Sequence, residues 1–462
     1  MVIIEMLTYK CRIMNRACLF INTNLHEQNQ HASSIRPIKS NFVPMKKVIR
    51  KISVLIFVMI TATGFSQQLG TFKTQKLFEA GTDGYYTFRI ASLVATKNGT
   101  LLAFCAARKG KGGDWDPINI AMRRSTDGGK TWEPMKIFVE KDSLPCDNAT
   151  PIVDYQTGEV HLLYQIDYAR CYYIKSTDDG ESWSAPADIT STIDSFKKTY
   201  PWVVLAPGPG HGIQLTSGRL LVPFWLSNGG GKEFGPNRRG HRPSIVVSAF
   251  SDDHGKTWKA GEIAVPDNDT TVIPNETCSV QLADGRVLFN SRNESINYRR
   301  LFTYSNDGAT NWSKPVFADA FFEPICFGSM CRYSIQPYQS KNRILFCNPD
   351  SRQDPWVAEK SSTPRSARNR HRTNLTIRMS YDEGVTWPVS KVIDPGISGY
   401  SDLAVTPDGI IHCLYEGGSI AGTGGNQYKN TSMSVVSFDL KWLTSGEDQL
   451  DTKDKPLNDF IK

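Results

Sequence analysis

Arg89 is a charged residue within an apolar run, TFRIASLVA (residues 87–95). A guanidinium group in such a run is stable only when it is paired with an acidic group or bound to an anionic ligand. The planar guanidinium is also the side-chain group best suited to binding a carboxylate in a fixed direction. The sequence therefore indicates that Arg89 is either paired or bound to a ligand.

The ten cysteines do not follow a metal-binding pattern. None forms a CxxC pair or lies at metal-ligand spacing from a histidine, so we expect no structural metal and no metal cofactor. Most of the eight cysteines after residue 66 lie in apolar, strand-like runs, where a buried free thiol is the favoured state. The cysteines in such runs are Cys105, Cys171, Cys326, Cys347 and Cys413.

A short motif, SxDxGx[ST]W, recurs along the chain between apolar, strand-like segments. Its Asp can accept backbone N–H groups in a tight turn, its Gly can adopt a positive φ, and its Trp can pack beneath the turn. These features predict hairpin turns in an all-β protein. The copies are Ser125–Trp132, Ser176–Trp183, Ser251–Trp258 and Ser380–Trp387, with a degenerate fifth copy at Ser305–Trp312 in which Ala309 replaces the Gly.

The spacing of the motif predicts the number of repeated units. Successive copies start 51, 75, 54 and 75 residues apart, a mean of about 64, and the segment from about residue 70 to 445 holds close to six such units. Alternating apolar residues without helical periodicity favour four-stranded antiparallel blades. We therefore predict a six-bladed β-propeller over residues 67–445, in which a first strand near residues 71–78 closes the ring and the sixth blade lacks the motif.

The two ends of the chain differ from this central part. MKKVIRK followed by the apolar stretch ISVLIFVMITATG predicts a signal peptide over residues 45–66, with translation starting at Met45 inside a leader of residues 1–66. The stretch is too short to span a bilayer, and cleavage at Ser66 is favoured over an uncleaved signal anchor. We expect an exported protein, periplasmic, cell-surface or secreted, with a loose polar tail at residues 446–462.

The composition excludes several classes of protein. With 40% hydrophobic residues and 21% charged residues, the chain can form a large core and is not disordered. The net charge of +7 arises in residues 1–66, because 44 basic and 44 acidic residues remain after them. A formally neutral folded part argues against nucleic-acid binding.

Seven segments of the sequence resemble, in the same order, the motifs of exo-alpha-sialidases (neuraminidases), glycoside hydrolases with Asp-box repeats, and specifically their bacterial secreted type. The resemblance covers almost the whole mature sequence. It implies retaining hydrolysis of terminal alpha-ketosidic sialic acid from sialylated glycans, through a tyrosyl-enzyme intermediate and without a cofactor. The segments are FRIAS, DWDPINIAMRRSTDGG, GPGHGIQL, NETCSVQLADGRVLFNSR, HRTNLTIRMS, GYSDLAV and CLYEGG.

The resemblance also implies a role for each of eight residues. Asp114 would be the acid/base, Glu276 the general base and Tyr400 the nucleophile. The substrate-binding residues would be Arg89, Arg292 and Arg372, which form a carboxylate-binding triad, Glu416, which holds Arg89, and Asn148, which lines the pocket beside the substituents of the sugar.

These residue types suit the chemistry. The anomeric carbon of sialic acid carries a carboxylate, which would repel an anionic nucleophile, whereas a neutral phenol avoids this repulsion. A phenol with a pKa of about 10 needs a base near neutral pH, a role that Glu276 can fill. Asp114 can protonate the leaving oxygen and then activate water.

Considered singly, the same residues have ordinary structural explanations. Asp114 and Glu276 would be solvated loop carboxylates, and the arginines would form surface pairs. Arg292 has two neighbours, Arg299 and Arg300, that a register slip would exchange with it. Arg372 competes with Arg365, Arg368 and Arg370 and is favoured only by its RTNL context.

Three positions depart from the motifs of the family. Ala91 replaces a Pro in a loop, Ala106 replaces a Glu that would orient the first arginine, and Phe327 replaces a Gln, which predicts an apolar wall facing the pocket. His211, in GPGHG, is expected to have a turn or packing role. Two alternatives to hydrolysis stay open: a trans- or intramolecular-trans-sialidase, and a non-catalytic sialoglycan-binding propeller.

Overall fold

A computed structural model describes residues 70–451 and residue 454, apart from residues 234, 236–237, 353–371, 419, 422–427 and 430. Residues from Gln68 to the C-terminus form one compact unit. The predicted leader and signal peptide lie outside the described residues. Within the described ranges, no helix is long and apolar enough to cross a membrane.

The described part of the chain is built almost entirely of β-strands. The first thirteen are β1 (Phe72–Glu79), β2 (Thr87–Ala95), β3 (Leu101–Arg108), β4 (Ile118–Ser125), β5 (Lys136–Val139), β6 (Cys146–Val153), β7 (Val160–Ile166), β8 (Arg170–Ser176), β9 (Ala187–Asp188), β10 (Val204–Pro207), β11 (Ile213–Gln214), β12 (Leu220–Ser227) and β13 (Ser244–Ser251). The others are β14 (Lys259–Val265), β15 (Thr277–Gln281), β16 (Val287–Ser291), β17 (Arg299–Ser305), β18 (Val316–Phe322), β19 (Ser329–Ser334), β20 (Arg343–Pro349), β21 (Thr373–Ser380), β22 (Val389–Val405), β23 (Ile411–Gly417), β24 (Ile420–Ala421), β25 (Tyr428–Lys429) and β26 (Ser432–Phe438). The helical segments are α1 (Thr190–Asp194), a 3-10 turn (Ser195–Lys198) and α2 (Leu440–Leu443).

The strands form antiparallel sheets arranged as a β-propeller. Three sheets have four strands each, β2–β5, β6–β9 and β15–β18, and a fourth combines β10 to β14. The inner strands contact one another in a closed cycle that runs from β2 through β6, β10, β12, β15, β19 and β22 back to β2. Apolar side chains fill the space between neighbouring sheets, as where Phe104 of β3 meets Trp183 beyond β8.

The prediction of six four-stranded blades is not met in full. Four sheets stand apart as blades, but β19 to β23, β26 and β1 form one seven-stranded sheet. The cause is β22, which is 17 residues long and pairs with β21 through its first half and with β23 through its second half. The chain stays extended through Pro395 and Gly396 and only shifts its register with β21 there.

The ring is closed by the first and last strands. β1 pairs with β26, as the sequence predicted, and the side chain of Asp439 accepts hydrogen bonds from the backbone and the hydroxyl of Thr71. The start of the polar tail is held against the same sheet, because Asp448 is buried and pairs with Arg343 and Lys341. Residues 446–451 are therefore not the loose segment that their polarity suggested.

The repeated motifs are tight turns, which confirms their sequence-based prediction. In the first copy, the Ser125 hydroxyl donates to Asp127 and accepts from the Gly129 N–H group, while Asp127 also accepts from the backbone and hydroxyl of Thr131. In the degenerate copy Gly308 has a positive φ, as the residue at this position has in the other copies, but Ala309 does not, so no Gly is needed there. Each of the eight cysteines in the described residues is buried and free.

Candidate active site

The site residues predicted from the sequence lie in or beside one cavity at the centre of the ring. Its volume is about 780 Å³, within the range typical of small-molecule sites. Seven of the eight residues line it, and the eighth, Glu416, lies buried beside Arg89. They come from different parts of the ring: Arg89 from β2, Asp114 from the β3–β4 loop, Asn148 from β6, Glu276 from before β15, Arg292 from after β16, Arg372 from before β21, Tyr400 from β22 and Glu416 from β23.

Tyr400 is hydrogen-bonded to an acidic and a basic residue. Its hydroxyl donates to Oε1 of Glu276 and accepts from Nη1 of Arg292 at 2.7 Å, and Arg292 also binds Oε2 of Glu276 at 2.5 Å. Burial raises the pKa of Tyr400 well above its usual value, and the negative charge of Glu276 raises it further. The three nearby arginines lower the pKa, but their effect is the smaller one. The phenol is therefore neutral, and its proton already points at a carboxylate.

Two further guanidinium groups lie over the ring of Tyr400. Those of Arg89 and Arg372 are each 5.3 Å from its centroid, so three arginines surround one phenol. Of the alternatives near Arg292, Arg300 is fully buried and binds Glu323 away from the cavity. Arg365, Arg368 and Arg370 lie outside the described residues.

Glu416 holds two strands together beneath the arginines. It is fully buried, and its Oε1 accepts from Nε of Arg89 at 3.2 Å and from the backbone of Ile90 at 2.9 Å. Its Oε2 accepts from the backbone N–H group of Tyr400. Ile90 has a φ of 61°, a conformation that is strained for a β-branched residue, and this bulge turns its N–H group toward Glu416 instead of β3.

Two charged residues that the sequence analysis missed contact the site. Arg108 lies 2.6 Å from Asp114 and 3.2 Å from Asp147, so one guanidinium lies between two carboxylates. Burial disfavours the ionised form of Asp114 and by itself would raise its pKa. The interactions with Arg108, His241 and Arg89 have the larger, opposite effect and hold the pKa of Asp114 well below its usual value. Arg108 ends the apolar strand AFCAAR, a context like that of Arg89, and this signal could have identified it.

An aromatic wall stands beside Asp114 and was also missed. The rings of Tyr168, Trp225 and His241 line the cavity, with 4.7 Å between the centroids of Tyr168 and His241. Burial lowers the pKa of His241 to about 4, so this ring is neutral at physiological pH. Asn148 lies on the cavity wall and donates from Nδ2 to the carbonyl of Pro207.

Phe327 does not face the cavity, and the prediction of an apolar wall there is wrong. Its side chain is 1% exposed and packs below Tyr400, with 6.0 Å between the two ring centroids. A Cβ atom on Gly210 would come within 2.5 Å of this ring, so Phe327 fills the space above the GPGHG loop. Ala106 pairs with Arg89 across β3 and β2, which leaves Glu416 as the nearest carboxylate to Arg89.

Residues 99–413 match the family model described as BNR repeat-like domain, which covers most of the chain, so the chain belongs to this family. Its relatives among curated proteins include sialidases. That of Micromonospora viridifaciens is 30% identical over 80% of this chain and 54% of its own length. That of Bacteroides fragilis is 28% identical over 73% and 61%. The chain therefore spans between half and two thirds of these two relatives.

Solved structures show the same fold. The Hadza microbial sialidase Hz136 superimposes with a TM-score of 0.63 at 24% identity, over 80% of this chain and 69% of the other. The intramolecular trans-sialidase from Ruminococcus gnavus superimposes with a TM-score of 0.60 at 18% identity, over 80% and 98%. The fold is therefore that of sialidase propellers.

Asp147→Asn is expected to change the pH dependence of stability. Burial raises the pKa of Asp147 to about 6, against about 4 in an unfolded chain, so the folded protein binds this proton more tightly. The resulting stability is present below about pH 4 and is lost as the pH rises through about 6. Urea unfolding of the wild type should therefore show a loss of roughly 3 kcal/mol across this range that the variant lacks.

Asp114→Asn is the matched control for this prediction. Because the pKa of Asp114 is depressed, its contribution is present above about pH 4 and is lost only as the pH falls below that value. The two variants should thus alter opposite parts of the stability curve. Parallel curves for wild type and Asp147→Asn between about pH 4 and 7 would contradict the assignment to Asp147.

Proposed function

We propose that the protein is an exo-alpha-sialidase that hydrolyses terminal alpha-ketosidic sialic acid from glycoconjugates with retention of configuration. One observation carries the proposal: a neutral phenol, that of Tyr400, is hydrogen-bonded to Glu276 inside a ring of three arginines. Few substrates would call for a tyrosine nucleophile and three guanidinium groups together. A sugar with a carboxylate on its anomeric carbon is one of them.

The arginines form the proposed carboxylate-binding site. Arg89, Arg292 and Arg372 reach the cavity from three different sheets, and each lies within a few ångströms of Tyr400. Arg89 pairs with Glu416, and Arg292 contacts both Glu276 and the hydroxyl of Tyr400. A sialic acid carboxylate would add charge-assisted hydrogen bonds where the nucleophile must approach.

The reaction consists of two displacements. In the first, the Tyr400 oxygen attacks the anomeric carbon, Glu276 takes the phenolic proton, and Asp114 protonates the departing glycosidic oxygen. In the second, Asp114 removes a proton from water, the water oxygen attacks the same carbon, and Glu276 returns the proton to the departing phenol. Inversion at each step gives net retention.

Asp114 must change partners before it can act as an acid. In this structure it is ionised against Arg108, and a carboxylate in that state cannot donate a proton. Its side chain is 32% exposed and follows Gly112 and Gly113 in the loop. Binding of the glycoside would therefore have to part Asp114 from Arg108, which then stays paired with Asp147.

The two alternatives receive less support. A non-catalytic sialoglycan-binding propeller has no need for Tyr400, Glu276 and Asp114, yet all three line the cavity. Transfer to another sugar or to the substrate itself would require an acceptor that competes with water, and nothing in the described cavity favours one. Sialylated glycans are accordingly the proposed partners.

We further infer that the ring has six blades. The seven-stranded sheet divides at Ser398, where β22 passes from pairing with β21 to pairing with β23. On this interpretation β19 to the first half of β22 form one blade, and the second half of β22 with β23, β26 and β1 forms another. The continuous strand β22 thus connects these two blades in place of a loop.

Export of the protein remains a proposal that rests on the sequence of residues 45–66. N-terminal sequencing of exported protein should find a start close to Gln67, because the small residues that end the apolar stretch favour cleavage at Ser66. Retention of Met45 or of earlier residues in the exported protein would contradict it.

Tyr400→Phe is expected to lower turnover of a sialoside by several orders of magnitude, because it removes the attacking oxygen. Inhibition by free sialic acid should change little, since the three arginines remain.

Tyr333→Phe is the control for this variant. Tyr333 is also buried and would also lose a hydrogen bond, to Gly409, but it lies outside the cavity. Wild-type turnover in Tyr400→Phe would exclude this nucleophile. A fluorinated sialoside should label Tyr400 in the wild type, as peptide mapping can show.

Arg372→Ala is expected to lower kcat/KM for a sialoside by at least about tenfold, because one charge-assisted hydrogen bond to a carboxylate contributes roughly 1.5–3 kcal/mol. Arg365→Ala and Arg368→Ala should have much smaller effects. A larger loss in either of these controls would show that the triad has a different third member. Neutral hexosides cleaved as fast as sialosides would contradict carboxylate recognition itself.

A further inference from the structure

A second buried carboxylate, that of Asp402, lies near the centre of the ring two residues after Tyr400. We propose that Asp402 and His211, here called the axial pair, are positioning residues that fix the nucleophile Tyr400 relative to Arg89. The inference rests on the proposed function, because it assigns a role in the same reaction. Neither residue lines the catalytic cavity, so they act through the strands that carry Tyr400 and Arg89.

Asp402 accepts hydrogen bonds from four different segments. Its Oδ1 accepts from Nδ1 of His211 at 2.8 Å, from the hydroxyl of Ser329 at 2.7 Å and from the backbone of Leu403 at 3.0 Å. Its Oδ2 accepts from the backbone of Leu93 at 2.8 Å. The carboxylate is fully buried and thus joins β2, β19, β22 and the loop before β11.

Two of these segments carry catalytic groups. Leu93 follows Arg89 by four residues in β2, and Asp402 follows Tyr400 by two residues in β22. The bulge at Ile90 interrupts the pairing of β2 with β3 between Arg89 and Ser92. Glu416 binds β2 on one side of this bulge and Asp402 binds it on the other, so two carboxylates set how β2 lies against β22.

The glycines around His211 show that this loop is shaped to reach Asp402. Gly210 has a φ of 78°, and a Cβ atom there would lie 2.5 Å from Phe327 and 3.2 Å from the Asp402 carboxylate. A Cβ atom on Gly212 would come within 2.7 Å of Ile152 and of the backbone oxygen of Leu221. Only glycine fits at both positions, and this accounts for the GPGHG motif, which the catalytic mechanism leaves unexplained.

The charge of Asp402 makes its partners necessary. A fully buried carboxylate is costly unless it is paired and hydrogen-bonded. Burial disfavours the protonated form of His211 and by itself would lower its pKa. The carboxylate of Asp402 has the larger, opposite effect and raises the pKa of His211 above its usual value. Loss of the imidazole would leave the carboxylate undercompensated, so we expect Asp402 to shift and to move Leu93 and Tyr400 with it.

Another Asp–His pair in the same protein serves as the matched control. Asp154 is fully buried and accepts from Nδ1 of His254 at 2.6 Å and from Gln214 at 2.7 Å. Asp154 lies outside the catalytic cavity. The hydrogen bonds to the backbone of Leu93 in β2 and of Leu403 in β22 are made by Asp402 and not by Asp154. Loss of this pair should therefore weaken the fold without displacing Tyr400.

The experiment compares His211→Ala, His211→Asn and Asp154→Asn. For an activated aryl sialoside, His211→Ala should lower kcat by about tenfold or more while changing KM by less than about threefold. The reason is that a displaced Tyr400 impairs the attack on the anomeric carbon, whereas the arginines that bind the carboxylate stay in place. His211→Asn keeps a donor near the position of Nδ1 and should restore most of kcat. Asp154→Asn should lower the thermal midpoint but not kcat.

The outcomes that would overturn the proposal are distinct. They are wild-type kcat in folded His211→Ala, no recovery in His211→Asn, or an equal loss of kcat in Asp154→Asn. If His211→Ala does not fold, Ser329→Ala removes a single donor to Asp402 and should still lower kcat by a few fold, and unchanged kcat there would overturn the proposal as well.

A second measurement separates this proposal from the proposed function. Wild-type protein inactive on sialosides would contradict the function alone. Amide hydrogen exchange of peptides covering β2 and residues 398–405 should be faster in His211→Ala than in Asp154→Asn, whether or not the protein turns over substrate. Equal protection of these peptides in the two variants would contradict the axial pair.

Discussion

The burial of positive charge at the centre of the ring governs the arrangement of the site. Arg89, Arg108, Arg292 and Arg372 all lie in strands or at strand ends around the cavity, and their side chains are largely buried, where an unpaired guanidinium would be strongly destabilising. Some of their counter-charges come from carboxylates on other sheets: Glu416 pairs with Arg89, and Asp147 pairs with Arg108. These ion pairs connect neighbouring sheets beside the cavity in which the substrate is proposed to bind.

The strand β2 shows what this arrangement demands of the backbone. As the edge strand of its sheet, β2 pairs with β3 on one side only, so alternate N–H groups of a regular strand would face away from β3. Ile90 and Leu93 are three residues apart, and the extra residue of the bulge allows both of their N–H groups to donate to inner carboxylates, at the cost of a strained conformation at Ile90. Strain of this kind persists only where surrounding contacts enforce it, and here two buried carboxylates do so.

Much of this could be predicted from the sequence, because it depends on local patterns. The SxDxGx[ST]W turns follow from the chemistry of Asp and Gly, and the order of the family's motifs identified seven residues that line one cavity and an eighth, Glu416, that lies beside it. What escaped prediction depends on contacts between distant segments. The orientation of Phe327 is set by the space above Gly210, and the pairing of Arg108 with Asp147 by the approach of β6. The fused sheet arises because β22 stays extended past Pro395.

The closure of the ring by β1 and β26 has a consequence for how the protein folds. Arg89 and Glu416 are 327 residues apart, and Thr71 and Asp439 are 368 apart, so the ion pair beneath the proposed nucleophile joins the beginning of the domain to its end. Contacts of such high sequence separation form late and slowly. A chain still emerging from the ribosome would hold Arg89 without its partner, and the proposed site would be complete only after the strand that carries Glu416 has been made. A truncation that removed β23 would leave Arg89 without this carboxylate and so disrupt the proposed site.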